Sequence, residues 1–233
     1  MDTHTLVDLY FPAAAATPSE VVAAAARARL SAVLLVVEDP DHLPSREAIA
    51  AVNAGHGPTI HPAWLLQGPG YQIVAVRSDW DDADAFAAIE AVGNQALIQS
   101  AIRDAGGCAV PAFPHLELDG QIRRAAAPLA AEPQVGVLAM SGRGRRLARD
   151  LDVELAGIEG RRILGGTGPL GSLEDIGHMS TLMPGDVRDI LTLVSGLNEG
   201  HGVAVERVSR DAPRHQGGSG GGGHRDSDEG GER

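Results

Sequence analysis

The run Ala32-Val33-Leu34-Leu35-Val36-Val37 offers no polar side chain to either face of an extended chain. A strand with one wet face alternates apolar and polar residues, so an unbroken apolar run between Ser31 and Glu38 predicts a strand covered on both sides. Covering layers must come from nearby, and the chain supplies them. Thr17-Pro18-Ser19-Glu20 is a helix start: Thr17 can cap, Pro18 suits the first turn, and Glu20 sits three residues after the cap. From it a helix is predicted to about residue 30, with a strand at 6–10 before it. After the apolar run, 45–52 reads as helix, Gly57-Pro58 as punctuation, and 59–62 as a short strand.

The rhythm continues to about residue 198. Strands are predicted at 72–76, 108–111, 135–139, 163–166 and 179–183, and helices at 82–105 (broken near Gly93), 122–131 and 144–155. Pro184-Gly185-Asp186 is expected to open a last helix reaching about residue 197. Strands alternating with helices at this spacing predict parallel βα units. Roughly seven of them are too many for a small open sheet and predict a single-domain α/β barrel over residues 1–200. From about Ser209 the composition changes, and the Gly-rich run over 217–229 holds no apolar residue able to pack, so 201–233 is expected to be a flexible tail.

Composition narrows the classes. Hydrophobic residues make up 43% but aromatics only 3%, so the core must be aliphatic. No apolar run approaches the roughly 20 residues of a membrane span. Met1-Asp2-Thr3-His4 lacks the basic and apolar regions of a secretion signal, which sets the expectation of a cytoplasmic protein with no membrane partner. The one cysteine, Cys108, excludes a disulfide framework and a Cys-rich zinc module. It lies in an apolar strand, where a structural thiol is expected. All 19 basic residues are arginine, against 31 acidic ones, for a net charge of -12. A field of that sign repels phosphate backbones and sets the chain against nucleic acid.

In βα barrels the chemistry sits at the C-terminal ends of strands. Candidate ends carry His4 and Leu6, then Asp39-Pro40-Asp41, Pro62-Ala63-Trp64, Ala112-Phe113-Pro114-His115 and Gly166-Thr167-Gly168-Pro169-Leu170. In order and spacing these fragments resemble the PHP (polymerase and histidinol phosphatase) family. Asp2-Thr3-His4-Thr5-Leu6 resembles its opening Asp-x-His-x-His, followed by a helix start similar to Thr17-Pro18-Ser19-Glu20. Asp39-Pro40-Asp41 resembles Asp-His-Asp, and Pro62-Ala63-Trp64 falls where the family has Gly-x-Glu. Gly106-Gly107 leading to Ala112-Phe113-Pro114 resembles the run into Ala-His-Pro, and Gly166-Thr167-Gly168-Pro169-Leu170 resembles Gly-Ser-Asp-Ala-His. The resemblance implies a PHP-like distorted (β/α)7 barrel, which in the family holds two or three metals and hydrolyses phosphoesters.

At the positions that would bind metal, this chain has Leu6, Pro40, Trp64, Phe113, Gly168 and Leu170; only His4 and Asp39 keep donor side chains. Ligation needs imidazole nitrogen or carboxylate oxygen. The expectation is therefore a catalytically degenerate PHP-like domain, without a cofactor, that binds a partner protein or a small anionic or phosphorylated ligand, or forms a homo-oligomer through Trp64 or Phe113. The alternative is a metal-dependent phosphoesterase with one zinc or manganese at a shifted site of His4, Asp39, Asp41 and His115, with His42, His61 and His178 nearby. Against it, Asp39 and Asp41 read as ordinary turn residues. Arg143 and Arg145 at a predicted helix start, and Arg162 before the glycine turn at 165–168, are candidate anion-binding groups. Ser141 has no nucleophile elbow around it, and no glycine string here has a dinucleotide-binding context.

Overall fold

The computed structural model describes residues 4–68, 71–112, 115–118, 121–124, 135–141 and 161–207. Nine strands form one sheet. In chain order they are β1 (His4–Pro12), β2 (Ala32–Val37), β3 (Thr59–Gly68), β4 (Tyr71–Val76), β5 (Cys108–Ala112), β8 (Val137–Ser141), β9 (Ile163–Gly166), β10 (Met179–Pro184) and β11 (Val203–Glu206). Their spatial order is β11-β10-β1-β2-β3-β4-β5-β8-β9. Between them lie α1 (Pro18–Arg27), α2 (Arg46–Asn53), α3 (Ala83–Glu90), α4 (Gln95–Asp104) and α5 (Ile190–Asn198). A separate hairpin pairs β6 (His115–Leu118) with β7 (Gln121–Arg124).

Local chemistry sets the helix starts. Glu20 accepts from the Thr17 amide at 2.9 Å, and Ser45 accepts from Ala48 N at 3.1 Å. Asn94 accepts from the amides of Ala96 and Leu97, which begins α4 directly after Gly93 (φ +66°) ends α3. Side chains caught this way satisfy amides that a helix cannot pair internally.

The sheet curls into a nearly closed barrel. Inside lie Val7, Leu9, Leu34, Val36, Leu65, Val74, Val110 and Leu164, with Leu193, Val194 and Leu197 of α5. The residues between them in sequence face outward: Val33 and Leu35 meet Val21, Ala24 and Ala25 of α1, and Trp64, Ile73 and Ala75 meet Phe86, Ile98 and Ile102 of α3 and α4. Alternation across the pleat thus divides the aliphatic residues between two layers. Helix α5 covers the end where β1, β2 and β3 begin: Thr59 Oγ1 donates to the Arg188 carbonyl at 3.0 Å, and Asn198 Nδ2 to that of Gly107 at 3.0 Å.

Several expectations are corrected. Parallel βα pairing holds for β1-α1-β2-α2-β3 and for β5, β8 and β9. However, β4 is antiparallel to both β3 and β5, and β10 is antiparallel to β1 and β11. The third strand runs to Gly68 rather than 62, because Ala63 to Leu66 stay apolar on both faces. Residues 122–124 are strand, not helix; Gln121-Ile122-Arg123 alternates as a strand does, and Asp119-Gly120 is a hairpin signal in sequence. The remaining residues of that predicted helix, and the one at 144–155, lie outside the described residues. The last helix begins at Ile190, capped by Asp189, because Pro184 still belongs to β10. Beyond the boundary drawn at residue 200, β11 adds an edge strand.

Candidate functional site

Because β1, β2 and β3 are parallel, their C-terminal ends share one rim. A cleft of about 360 Å³ opens there. Its walls are hydrocarbon and backbone at Pro12, residues 13–15, Pro169, Leu170 and Gly171, and its polar lining is Glu38, Asp39 and His42. Glu38 Oε1 accepts from the Tyr10 hydroxyl at 2.8 Å. Burial first, and the Glu38 charge second, hold that hydroxyl above the usual phenol range. Asp39 Oδ1 accepts from the Asp41 amide at 2.9 Å and caps the short 3-10 turn Pro40–His42. Two other clefts, about 480 and 550 Å³, lie at the opposite end of the barrel around Asp186 and Arg188, which pair with each other.

Beneath the rim cleft lies a group that sequence reasoning missed. Asp8 is fully buried and binds across the barrel closure. One carboxylate oxygen accepts from Thr167 N at 2.8 Å and Tyr10 N at 3.1 Å, and the other from the Thr167 hydroxyl. Burial pushes the carboxyl up to about 6 although these donors pull it back. Beside it, Gly168 N donates to the Tyr10 carbonyl at 2.8 Å, and Thr181 Oγ1 both accepts from Gly165 N (2.8 Å) and donates to Gly165 O (3.0 Å). A Cβ on Gly166 would sit 2.6 Å from Tyr10 N, so the close approach of β9 to β1 requires glycine there. The available signal was a lone acid inside Leu6-Val7-Asp8-Leu9-Tyr10-Phe11, an apolar strand that gives a carboxylate no reason to exist unless it is bonded.

The residues singled out from sequence disperse. His4 opens β1 opposite Pro184. The rim lies at the other end of that strand, roughly 25 Å away at strand rise, so His4 does not meet Asp39. Leu6 packs partly buried against the α1 layer. Pro40, Asp41 and His42 are exposed at the rim. Trp64 is not a rim group: its Nε1 donates to the Trp80 carbonyl at 2.7 Å and its ring stacks on Phe86 at 5.3 Å, beneath α3. Gly168 is buried at φ +86°, whereas Leu170 is 73% exposed on the cleft edge. His115 lies in the β6–β7 hairpin opposite Arg124. His61 is buried near the start of β3, 3.2 Å from Thr59 Oγ1, and burial pushes its imidazole down to about 4, so it is neutral. His178 is exposed. Arg162 is exposed ahead of β9, away from the rim; Phe113, Arg143 and Arg145 lie outside the described residues.

Among the described residues no group of three His, Cys, Asp or Glu gathers closely enough to hold a metal ion. Glu38 and Asp39 each already accept a bond from the protein, and the described donors do not gather as the metal cluster implied by the family resemblance would need. Nor is any described helix long and apolar enough to cross a membrane.

No family model matches the sequence, and no curated protein matches it. Among solved structures, the fold is similar to that of a two-domain protein from Bacteroides vulgatus containing a predicted PHP-like metal-dependent phosphoesterase, with a TM-score of 0.54 and 12% identity. The match covers 88% of this chain and 65% of the other, so the chain spans less than two thirds of that neighbour. At this identity the likeness is one of fold.

Proposed function

We propose that this chain is a PHP-like barrel in which the phosphoesterase centre has degenerated, and that it acts by binding at the rim cleft rather than by hydrolysis. One observation carries the reading: the end of β1 and the loop after β9 present Pro12, Leu170 and Gly171 to the cleft, while its carboxylates serve the protein's own hydrogen bonds. The strand register supports it further. If the family's opening motif is set at the end of β1, where barrel chemistry resides, Asp8-Leu9-Tyr10-Phe11-Pro12 takes the place first assigned to residues 2–6. Its two histidine positions are then Tyr10 and Pro12, a phenol held protonated and a ring without a donor.

Of the occupants expected from sequence, a partner protein suits this cleft better than a small anion. Glu38 and Asp39 set a negative field across an apolar wall, which favours an apolar surface carrying a cationic group. Metal analysis of untagged protein tests the reading. The expected result is zinc, manganese and iron each well below one equivalent, with no manganese-dependent hydrolysis of a generic phosphodiester and no heat on titration with inorganic phosphate. Stoichiometric metal that is lost in Asp39→Ala or His42→Ala would overturn it in favour of the phosphoesterase.

A further inference from the structure

The loop joining β9 to β10 forms one wall of the cleft through Pro169, Leu170 and Gly171. It is folded tightly on itself. Gly171 N donates to Gly168 O at 3.1 Å, and Ser172 N and Oγ donate to the Asp175 carboxylate at 2.8 and 2.7 Å. A Cβ on Gly171 would lie 1.9 Å from the Thr167 methyl, and Gly177 (φ +80°) rests on Ala28. What ties this compact loop to β1 is Asp8, through the amide and hydroxyl of Thr167, together with the backbone bond from Gly168 N to Tyr10 O.

We propose that Asp8 and Thr167 form an acid-strengthened latch that fastens the loop over residues 167–177, and with it one wall of the cleft, to β1. The Thr167 hydroxyl lies within reach of two oxygens: Asp8 Oδ2 and, at 3.4 Å, the Asp175 carbonyl. With Asp8 ionised, the hydroxyl donates to the carboxylate. With Asp8 neutral, the new carboxyl proton is donated to Thr167 Oγ1, and the threonine proton turns to the Asp175 carbonyl. That carbonyl also accepts from His178 N at 3.0 Å, so it is satisfied in both states. The latch therefore accepts a proton without breaking a bond, and doing so removes a charge from a water-free site.

Among the described residues, no ionised side chain is hydrogen-bonded to Asp8. Strands β2, β9 and β10 carry no titratable side chain. On β1, the Tyr10 hydroxyl is turned to Glu38; on the loop, the Asp175 carboxylate is turned to Ser172. Arg27 and Arg29 beside α1, and His178 after the loop, are exposed. Opening the loop returns Asp8 to water, where an aspartate ionises near its ordinary value of 3.8, well below the closed value of about 6. Between these limits opening must release one proton, so acid holds the loop shut and neutral pH frees it.

Native-state hydrogen exchange, corrected for intrinsic rates, tests this on the full chain. Protection of the Thr167, Gly168, Gly171 and Ser172 amides is expected to be about twentyfold higher at pH 4.5 than at pH 7, as one-proton linkage between those two values requires. In Asp8→Asn, whose amide mimics the neutral state, protection should no longer depend on pH. Loop amides that track the β2 and β3 amides at both pH values, or an unchanged pH dependence in Asp8→Asn, would overturn the latch. Should that variant not fold, the carboxyl carbon shift of Asp8 in the unaltered protein decides: a midpoint near 6 supports the latch, and one near 4 refutes it.

Discussion

The wall formed by β1, β2 and β3 and the closure where β9 meets β1 and β10 lie side by side, yet they are held by different means. In the wall, parallel backbone ladders join strands whose side chains from Ala32 to Val37 are all buried. In the closure no ladder joins β9 to β1 or β10; glycine backbones approach, and Asp8 and Thr181 supply hydrogen bonds from side chains. Many equivalent contacts share the load in the wall, so its chemistry is generic. A handful of polar atoms hold the closure, so each is specific, and one of them can change charge.

Cutting into the wall should produce the largest loss. Leu34 is fully buried inside the barrel, and Leu34→Ala removes its apolar atoms and leaves a cavity. A loss of about 3 kcal/mol in unfolding free energy is expected, read from the urea midpoint with an unchanged slope. A loss below about 1 kcal/mol would mean that the interior collapses around the gap, and that the wall is less rigidly packed than its burial implies.

Each region also buries a group that ionises between pH 4 and 7, and the two are shifted in opposite directions. His61, in the wall, is pushed down to about 4 from an ordinary 6.5. Between those values the unfolded chain takes up a proton that the folded one refuses, so stability falls as pH drops through that window, by up to about 3 kcal/mol. Asp8, in the closure, is pushed up to about 6 and adds stability as pH drops below that value. In the intact protein the two oppose each other between about pH 4 and 6. His61→Gln should expose the Asp8 contribution: urea unfolding would then show greater stability at pH 4.5 than at pH 7. Equal pH slopes in the two proteins would show that His61 is protonated in the fold.

The contrast also explains what could be read from the sequence. The wall was legible because apolar periodicity and helix caps are local: the 32–37 strand, the Thr17 helix start and the break at Gly93 are all found where expected. Strand direction was not, because whether β4 runs with or against β3 depends on the connection, and both choices bury the same Ile73 and Val74. The site was legible only in part. Asp39 lies on the rim cleft, but His4 was placed by motif spacing at the end of a strand that continues eight residues further, to Pro12. The pair Asp8 and Thr167 was invisible, since 159 residues of chain separate them.

A gentler cut separates the closure from the wall. Thr181→Val keeps the shape of the side chain and removes the hydroxyl that serves both the amide and the carbonyl of Gly165. Two buried backbone groups then lose a partner, and a loss of about 2 kcal/mol is expected. If the closure is as specific as its bonding suggests, Thr181→Ser should recover most of it, although serine lacks the methyl group. Equal losses for valine and serine would assign Thr181 a packing role instead.

The smallest effect tests where the closure stops being structural. Leu170 is carried by the latched loop, but its side chain is 73% exposed at the cleft edge. Leu170→Ser removes little buried area, so unfolding free energy should shift by less than about 0.5 kcal/mol. An apolar dye that lights up in the cleft, however, should bind the variant more weakly, because the wall it meets has lost its largest hydrocarbon group. A fall in stability with unchanged dye binding would place Leu170 with the barrel's own packing and take it out of the recognition surface.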